Sequence, residues 1–375
     1  MPVTETPVDT AKVVLDGTAL DGLIAALRGK GFRVIGPTRS DDAIVYDDIA
    51  GAADLPAGIG DEQRGGHYRL VERADGALFG YTNGVQGWKR HLYPPRQTLF
   101  SAQRTATGFA VAPPPAPDAP MAFIGVRACE LAAMGVQDRV FGDKVYADPG
   151  YQGRRAKAFI VAVECAEAGA TCFCASMGTG PDIRAGFDLK LVELPEKGVF
   201  VAESGSAAGA EILAGLNPPA AEPALAAEAA QRVEGAKPTK TMDVDLAGRL
   251  SDFAEHAQWA EVATRCLSCG NCTMVCPTCF CTTVEDVTDL KGDTAERVRK
   301  WDSCFSIDFS YIHGGALRTE ARSRYRQWIT HKLSFWHGQF GTSGCVGCGR
   351  CITWCPVGID ITEEVGAIKL SQGGK

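Results

Sequence analysis

The hydrophobic positions of the N-terminal third alternate between a helical and a strand-like spacing. Four apolar residues recur at the spacing of one helix face, namely Leu20, Leu23, Ile24 and Leu27. Two short apolar runs follow at residues 32–35 and 43–46, and they predict strands. Glycine and aromatic residues between 65 and 100 indicate short strands and turns. Residues 1–112 are therefore predicted to form an N-terminal α/β domain.

A proline-rich stretch at residues 113–120 separates this region from a second one of similar character. The apolar pattern there predicts a strand, a short helix, a second strand and a hairpin, at residues 121–126, 130–136, 158–163 and 188–203. The two strands are continuous apolar runs, which is typical of buried parallel strands. We expect residues 121–206 to form a central α/β region.

The rest of the chain passes from an Ala- and Pro-rich segment to a mainly helical pattern. Residues 207–240 predict a helix followed by a flexible linker. Apolar residues then recur at helical spacing just before the cysteine-rich part, at Leu246, Leu250, Phe253 and Ala257. Residues 241–375 are predicted to form a mainly α-helical domain, and the whole chain an α+β multidomain protein.

Composition and charge narrow the class of protein. The chain has 375 residues, of which 45% are apolar and 22% charged, so it can bury sizeable cores. A net charge of -7 argues against a general nucleic-acid binder. No apolar run approaches the length of a membrane span, and the first residues lack a secretory leader. We therefore expect a cytoplasmic protein, in which fifteen cysteines indicate metal or redox chemistry.

Eight of the cysteines fall in two copies of one motif. Residues 266–277 and 345–356 both read C-x2-C-x2-C-x3-C-P, the ligand run of bacterial ferredoxins. In that motif three thiolates bind one 4Fe-4S cluster and the fourth binds the other. The predicted ligand sets are Cys266, Cys269, Cys272 and Cys355 for the first cluster, and Cys345, Cys348, Cys351 and Cys276 for the second. Two zinc sites are the alternative, but the repeated four-cysteine run with its proline fits zinc poorly.

Four further cysteines predict a third iron–sulfur cluster. Cys129 and Cys165 each follow one of the two central strands, and parallel neighbours would bring both thiols to the same sheet edge. The same region contains Cys172 and Cys174, in a loop whose glycines permit tight turns. The alternative is that these thiols are buried as small apolar side chains.

Three cysteines remain outside these groups, namely Cys279, Cys281 and Cys304. They are consistent with extra ligands, with a sulfur relay or with packing, and packing is the default for unassigned thiols. The chain also lacks a dinucleotide fingerprint and a Walker motif. A flavin or nicotinamide is therefore expected on another subunit.

Several short stretches carry a resemblance to a known family. They are GHYRL at 66–70, QGWK at 86–89, YPPR at 93–96, VRAC at 126–129, TCFC at 171–174, SMGTGP at 176–181 and WDSC at 301–304. In these stretches the chain resembles the β subunit of cytosolic, sulfhydrogenase-type nickel–iron hydrogenases. It also resembles the A subunit of anaerobic sulfite reductase.

The resemblance implies an electron-transfer subunit that has no catalytic residue of its own. Its partners would be a flavin subunit that handles NAD(P)H and the small and large hydrogenase subunits, so FAD and the nickel–iron site would lie on partner chains. A sulfite reductase subunit that feeds a sirohaem is one alternative. Sulfur or polysulfide reduction by this chain, at Cys279, Cys281 or Cys304, is another.

Overall fold

The computed structural model describes residues 11–114, 119–142 and 145–370. The N-terminal residues searched for a leader, and residues 115–118 of the proline-rich stretch, lie outside the described residues. The described chain combines β-sheets with helices, and the cysteine-rich part follows the sheets. The α+β fold class expected from the sequence is confirmed.

The elements of the described residues are as follows. The strands are β1 (Val13–Asp16), β2 (Arg33–Ser40), β3 (Ala43–Asp48), β4 (Ile59–Arg64), β5 (His67–Glu72), β6 (Arg96–Thr105), β7 (Gly108–Ala112), β8 (Met121–Val126), β9 (Phe159–Val163), β10 (Leu189–Leu194), β11 (Val199–Ser204), β12 (Thr282–Thr288), β13 (Thr294–Trp301), β14 (Tyr311–Ile312) and β15 (Gly315–Ala316). The α-helices are α1 (Gly17–Gly29), α2 (Lys89–Leu92), α3 (Ala128–Phe141), α4 (Pro149–Arg155), α5 (Ala207–Leu216), α6 (Pro223–Gly235), α7 (Val244–Gly248), α8 (Gln258–Arg265), α9 (Asn271–Met274), α10 (Ala321–Thr330), α11 (Trp336–Phe340), α12 (Arg350–Thr353) and α13 (Ile361–Leu370).

The main sheet joins the N-terminal and central parts of the chain. Its strand order across the described residues is β1-β11-β10-β9-β8-β2-β3. The inner pairs β2–β8, β8–β9 and β9–β10 are parallel, and the outer pairs are antiparallel. The boundary expected near residue 112 therefore falls inside one sheet, because β1, β2 and β3 pair with strands of the central region.

A second sheet crosses another expected boundary. In the order β12-β13-β6-β7 it pairs the cysteine-rich region with strands near residue 100. β13 runs antiparallel to both β12 and β6. The mainly α-helical region expected between the two ferredoxin motifs therefore also contains a hairpin at residues 282–301. β-branched residues in TTVEDVT favour the hairpin there, and β6 supplies the edge it needs.

The helices also differ in detail from the expected ones. The apolar stripe predicted near residues 246–257 is divided between α7 and a short 3₁₀ turn, and it ends at Ala257, just before α8. The segment expected as a flexible linker contains α6, whose Ala229 is buried against the hairpin residues Leu194 and Val201. No helix among the described residues is both long enough and apolar enough to cross a membrane.

The two central strands are buried on both faces of the main sheet. Every residue of β8 and β9 is buried, which explains their continuous apolar sequence. On one face Ile124 packs with the α1 residue Leu23. On the opposite face Phe123 lies in a core shared with Trp336 and Cys348. The sheet is thus packed directly against the second ferredoxin motif.

Candidate iron–sulfur centres

The two ferredoxin motifs adopt the same backbone conformation. Ser268 and Gly347, at equivalent positions, have φ values of 51° and 64°. Gly270 and Gly349, two residues later, have φ values of 74° and 75° and begin the short helices α9 and α12. Residues in the left-handed conformation turn the chain sharply within each motif. The two motifs therefore repeat in backbone conformation as well as in amino-acid sequence.

Backbone N–H groups point at the motif sulfurs. The N–H groups of Ser268 and Gly347 lie 3.4 Å and 3.5 Å from Cys266 Sγ and Cys345 Sγ. Ile359 N–H donates to Cys355 Sγ at 3.3 Å. Hydrogen bonds of this kind stabilise negative sulfur and tune the potential of iron–sulfur clusters. The donor set fits a 4Fe-4S cluster in each motif.

The fourth cysteine of each motif lies beside the other motif. Burial raises the pKa of Cys266, and the nearby Cys355 sulfur raises it further. Burial likewise raises the pKa of Cys345 to about 12, and Cys276 is among the sulfurs that add to the shift. Neighbouring sulfurs and burial oppose ionisation of these thiols, and the positive charge of bound iron would favour it. The structure thus places Cys355 beside the first motif and Cys276 beside the second, as the predicted exchange of ligands requires.

A site for a single zinc ion requires a different arrangement of ligands from a 4Fe-4S cluster. Zinc needs four ligand atoms within about 2.3 Å of one position. Over residues 11–114, 119–142 and 145–370, no three His, Cys, Asp or Glu side chains are grouped so that they could hold one metal ion. A four-iron cluster takes each thiolate on a different iron, so its ligands need not converge on one point.

The four cysteines predicted to bind a third cluster are also brought together. Cys129 lies in the first turn of α3, just after β8, and Cys165 lies two residues after the neighbouring parallel strand β9. Burial raises the pKa of Cys172, and the sulfurs of Cys165 and Cys174 raise it further. The four thiols therefore share one buried region at the carboxyl edge of the sheet.

Asn83 lies between this third group and the second motif. Its Nδ2 is 3.7 Å from Cys129 Sγ and 4.0 Å from Cys172 Sγ. The same amide donates to the backbone oxygen of Cys348 at 3.4 Å. Nothing in the local sequence marks this buried asparagine, because its partners are up to 265 residues away.

The cysteine loop of the third group packs directly on the second motif. Phe173 N–H donates to Gly347 O at 2.8 Å. A Cβ on Gly349 would lie 2.5 Å from Thr171 O, closer than any side chain tolerates. The sulfurs of Cys272 and Cys351, one from each motif, are also electrostatic neighbours. The three thiol groups therefore form a row with the second motif in the middle.

Two buried lysines approach the same centre. Lys332 lies on a π-helical turn, His331–Phe335, and its Nζ donates to Thr278 Oγ1 at 2.7 Å. Lys89 Nζ donates to Cys276 O at 3.1 Å and lies 3.9 Å above the centre of the Trp301 ring. Both cations reduce the cost of placing negative charge beside Cys276. The sequence pattern does not reveal either lysine, because both are distant from Cys276 along the chain.

The eight motif cysteines, with their repeated backbone geometry and N–H donors, define a 4Fe-4S dicluster protein. Consistent with this, a family model described as a 4Fe-4S dicluster domain matches residues 265–359. The chain is also 30% identical over 307 residues to sulfhydrogenase 2 subunit beta of Pyrococcus furiosus, an alignment that covers 80% of this chain and 88% of that protein. The chain belongs to the family of sulfhydrogenase β subunits, as the sequence resemblance indicated.

Proposed function

We propose that this chain relays single electrons between a flavin subunit that handles NAD(P)H and the small subunit of a nickel–iron hydrogenase. The observation that carries the proposal is the row of three cysteine groups, which runs from the exposed Cys269 to the buried Cys129. A relay needs redox centres in close succession with a point of exchange near the surface. The kinship with a sulfhydrogenase β subunit supports this assignment.

The proposed ligand sets are those expected from the ferredoxin motif. Cys266, Cys269, Cys272 and Cys355 hold the first cluster, and Cys345, Cys348, Cys351 and Cys276 hold the second. Cys129, Cys165, Cys172 and Cys174 hold a third. The clusters supply reversible one-electron chemistry when bound.

The chain's own residues prepare the sites for that chemistry. The core around Phe173 and Ile352 excludes water from the second motif. Arg350, which is buried beside Cys348, and Lys332 supply positive charge that offsets the charge of the thiolates. Protein charge and burial of this kind help to set the potentials of iron–sulfur clusters.

The catalytic chemistry belongs to partner subunits in this proposal. FAD and the nickel–iron site lie on those chains, since no nucleotide fingerprint is found in this one. The proposed partners are the flavin subunit and the small and large hydrogenase subunits. We place the assembly in the cytoplasm, where reducing conditions keep the twelve proposed cysteine ligands available for iron.

The test is anaerobic purification of the intact complex by a tag on this chain, followed by iron, nickel and flavin analysis. Nickel and flavin are expected in the complex, and sirohaem without nickel would contradict the hydrogenase assignment. Replacing both Cys172 and Cys174 by Ser should lower iron by about four atoms per complex, the content of one cubane. Unchanged iron in that variant would contradict the third cluster.

A further inference from the structure

Two of the cysteines left over by the cluster groups form a hydrogen-bonded pair. Cys281 Sγ accepts a hydrogen bond from the Cys304 thiol and another from the Cys304 backbone N–H. Both residues are partly exposed. Two hydrogen bonds from one residue fix the relative position of the sulfurs. Adjacent sulfurs of this kind are the starting arrangement for a disulfide, whose S–S length is about 2.0 Å.

The backbone on the Cys281 side is held firmly. Gln137 Nε2 donates to Cys279 O at 3.3 Å, and Tyr93 Oη donates to Phe280 O at 3.4 Å. The Phe280 ring contacts Trp336 with ring centres 6.3 Å apart. Asp302 N–H donates to Cys281 O at 2.9 Å, which ties this segment to the chain that carries Cys304.

The backbone on the Cys304 side is held equally well. Ser303 Oγ lies 2.8 Å from Thr273 Oγ1, beside the first ferredoxin motif. Phe305 N–H donates to Ser303 Oγ at 3.1 Å, and the buried Phe305 ring packs against Trp328. The backbone is thus held by hydrogen bonds and packing next to both cysteines. A site whose two sulfurs must form the same bond repeatedly needs such a fixed backbone.

The electrostatic surroundings favour an ionised sulfur at Cys281. The hydrogen bond from Cys304 lowers the pKa of Cys281, and the charges of Lys332 and Lys89 act in the same direction against the effect of burial. A lowered pKa increases the fraction of thiolate, which is the attacking form in thiol–disulfide exchange. Cys304 is also an electrostatic neighbour of Cys272, a proposed cluster ligand.

The number of sulfurs favours a pair over another cluster. Of the fifteen cysteines, twelve belong to the three cluster groups and three remain. Cys279 is hydrogen-bonded to Cys276, a proposed ligand of the second cluster. That contact leaves Cys281 and Cys304 as a bonded couple, too few for a cubane, which takes four cysteine ligands.

We propose that Cys281 and Cys304 are a redox-active dithiol that forms and breaks a disulfide beside the clusters. On oxidation the Cys281 thiolate and the Cys304 thiol form one S–S bond and release two electrons and one proton. The proton leaves to water. In the complex the two electrons pass one at a time to the iron–sulfur clusters. This electron transfer rests on the proposed function, whereas the formation of the disulfide does not. The pair would store two electrons within a one-electron relay.

The test is to trap the thiol state of the anaerobic complex at controlled potential. The complex is equilibrated with mixtures of reduced and oxidised dithiothreitol, quenched in acid, labelled with iodoacetamide and digested for mass spectrometry. A peptide pair linked through Cys281 and Cys304 is expected under oxidising mixtures and should disappear under reducing ones. In Cys304→Ser, Cys281 should be labelled in every mixture, whereas the matched variant Cys279→Ser should retain the linked pair.

Two outcomes would overturn the proposal. One is complete labelling of both cysteines in every mixture. The other is a loss of about four irons per complex in Cys304→Ser, which would make these thiols cluster ligands. Iron analysis of the unmodified complex distinguishes a failure of this proposal from a failure of the proposed relay. If the disulfide forms in a chain that contains no iron, the relay is contradicted but the redox-active dithiol is not.

Discussion

Lys332 Nζ lies 3.3 Å from Cys276 Sγ, and both residues are buried. Burial by itself lowers the pKa of this lysine, but the Cys276, Cys279 and Cys345 sulfurs outweigh it and raise the pKa well above its ordinary value. Lys332 is therefore a fixed positive charge against one proposed ligand of the second cluster. A reduced cluster carries one more negative charge than an oxidised one, so this contact favours reduction.

Lys332→Met should lower the reduction potential of the second cluster. A hydrogen bond to a charged group contributes about 2 kcal/mol, and 59 mV corresponds to a tenfold change for one electron. The expected shift is on the order of 100 mV, measured by redox titration followed by electron paramagnetic resonance. Lys300→Met is the control, because Lys300 is an exposed lysine paired with Glu285. A full iron content with an unchanged potential in Lys332→Met would contradict the prediction.

Cys355→Ser should damage the cluster of the other motif. We expect the resonance signal of the cluster proposed to be held by Cys266, Cys269 and Cys272 to be lost or altered, because Cys355 is its proposed fourth ligand. The reciprocal variant, Cys276→Ser, should affect the cluster of the second motif. If each substitution changed only the cluster of its own motif, the exchange of ligands would be wrong.

Glu130→Gln should destabilise the contact between the main sheet and the cluster region. Arg350 Nη2 lies 2.6 Å from Glu130 Oε1, with side chains only 2% and 1% exposed. Removing one partner leaves a buried charge uncompensated, which costs about 3–5 kcal/mol. The midpoint of thermal unfolding should fall clearly. Asp286→Asn, which breaks an exposed pair with Arg297, should leave the midpoint unchanged, and equal midpoints for both variants would contradict the argument.

Gly349→Ala should separate the second and third cysteine groups. Its φ of 75° is strained for any residue with a Cβ, and that atom would collide with Thr171 O. We expect iron loss and a lower midpoint of thermal unfolding. Gly366→Ala, in α13, is the control because no neighbouring atom lies near its Cβ position, and it should retain full iron. Full iron and an unchanged midpoint in Gly349→Ala would show that the loop is not held by this contact.

Local sequence was sufficient for the features that depend on a few neighbouring residues. The helix face of Leu20, Leu23, Ile24 and Leu27 and the apolar strand at Met121–Val126 follow directly from periodicity. The 4Fe-4S motif is equally local, because its first three ligands lie within seven residues of each other. The mainly helical pattern of residues 241–375 gave no sign of β13, because that strand pairs with β6, about 200 positions away along the chain.

By itself, then, the sequence determined the dicluster motifs, the central strands and the kinship with sulfhydrogenase β subunits. Only the tertiary structure decided that one sheet unites the N-terminal and central regions, that Lys332 contacts Cys276, and that Cys281 meets Cys304. The physical reason is the same in each case. Periodicity and spacing indicate which side of an element is buried and which ligands are close along the chain. The residues that pack against that side, or that place a charge beside those ligands, depend on contacts between distant parts of the sequence.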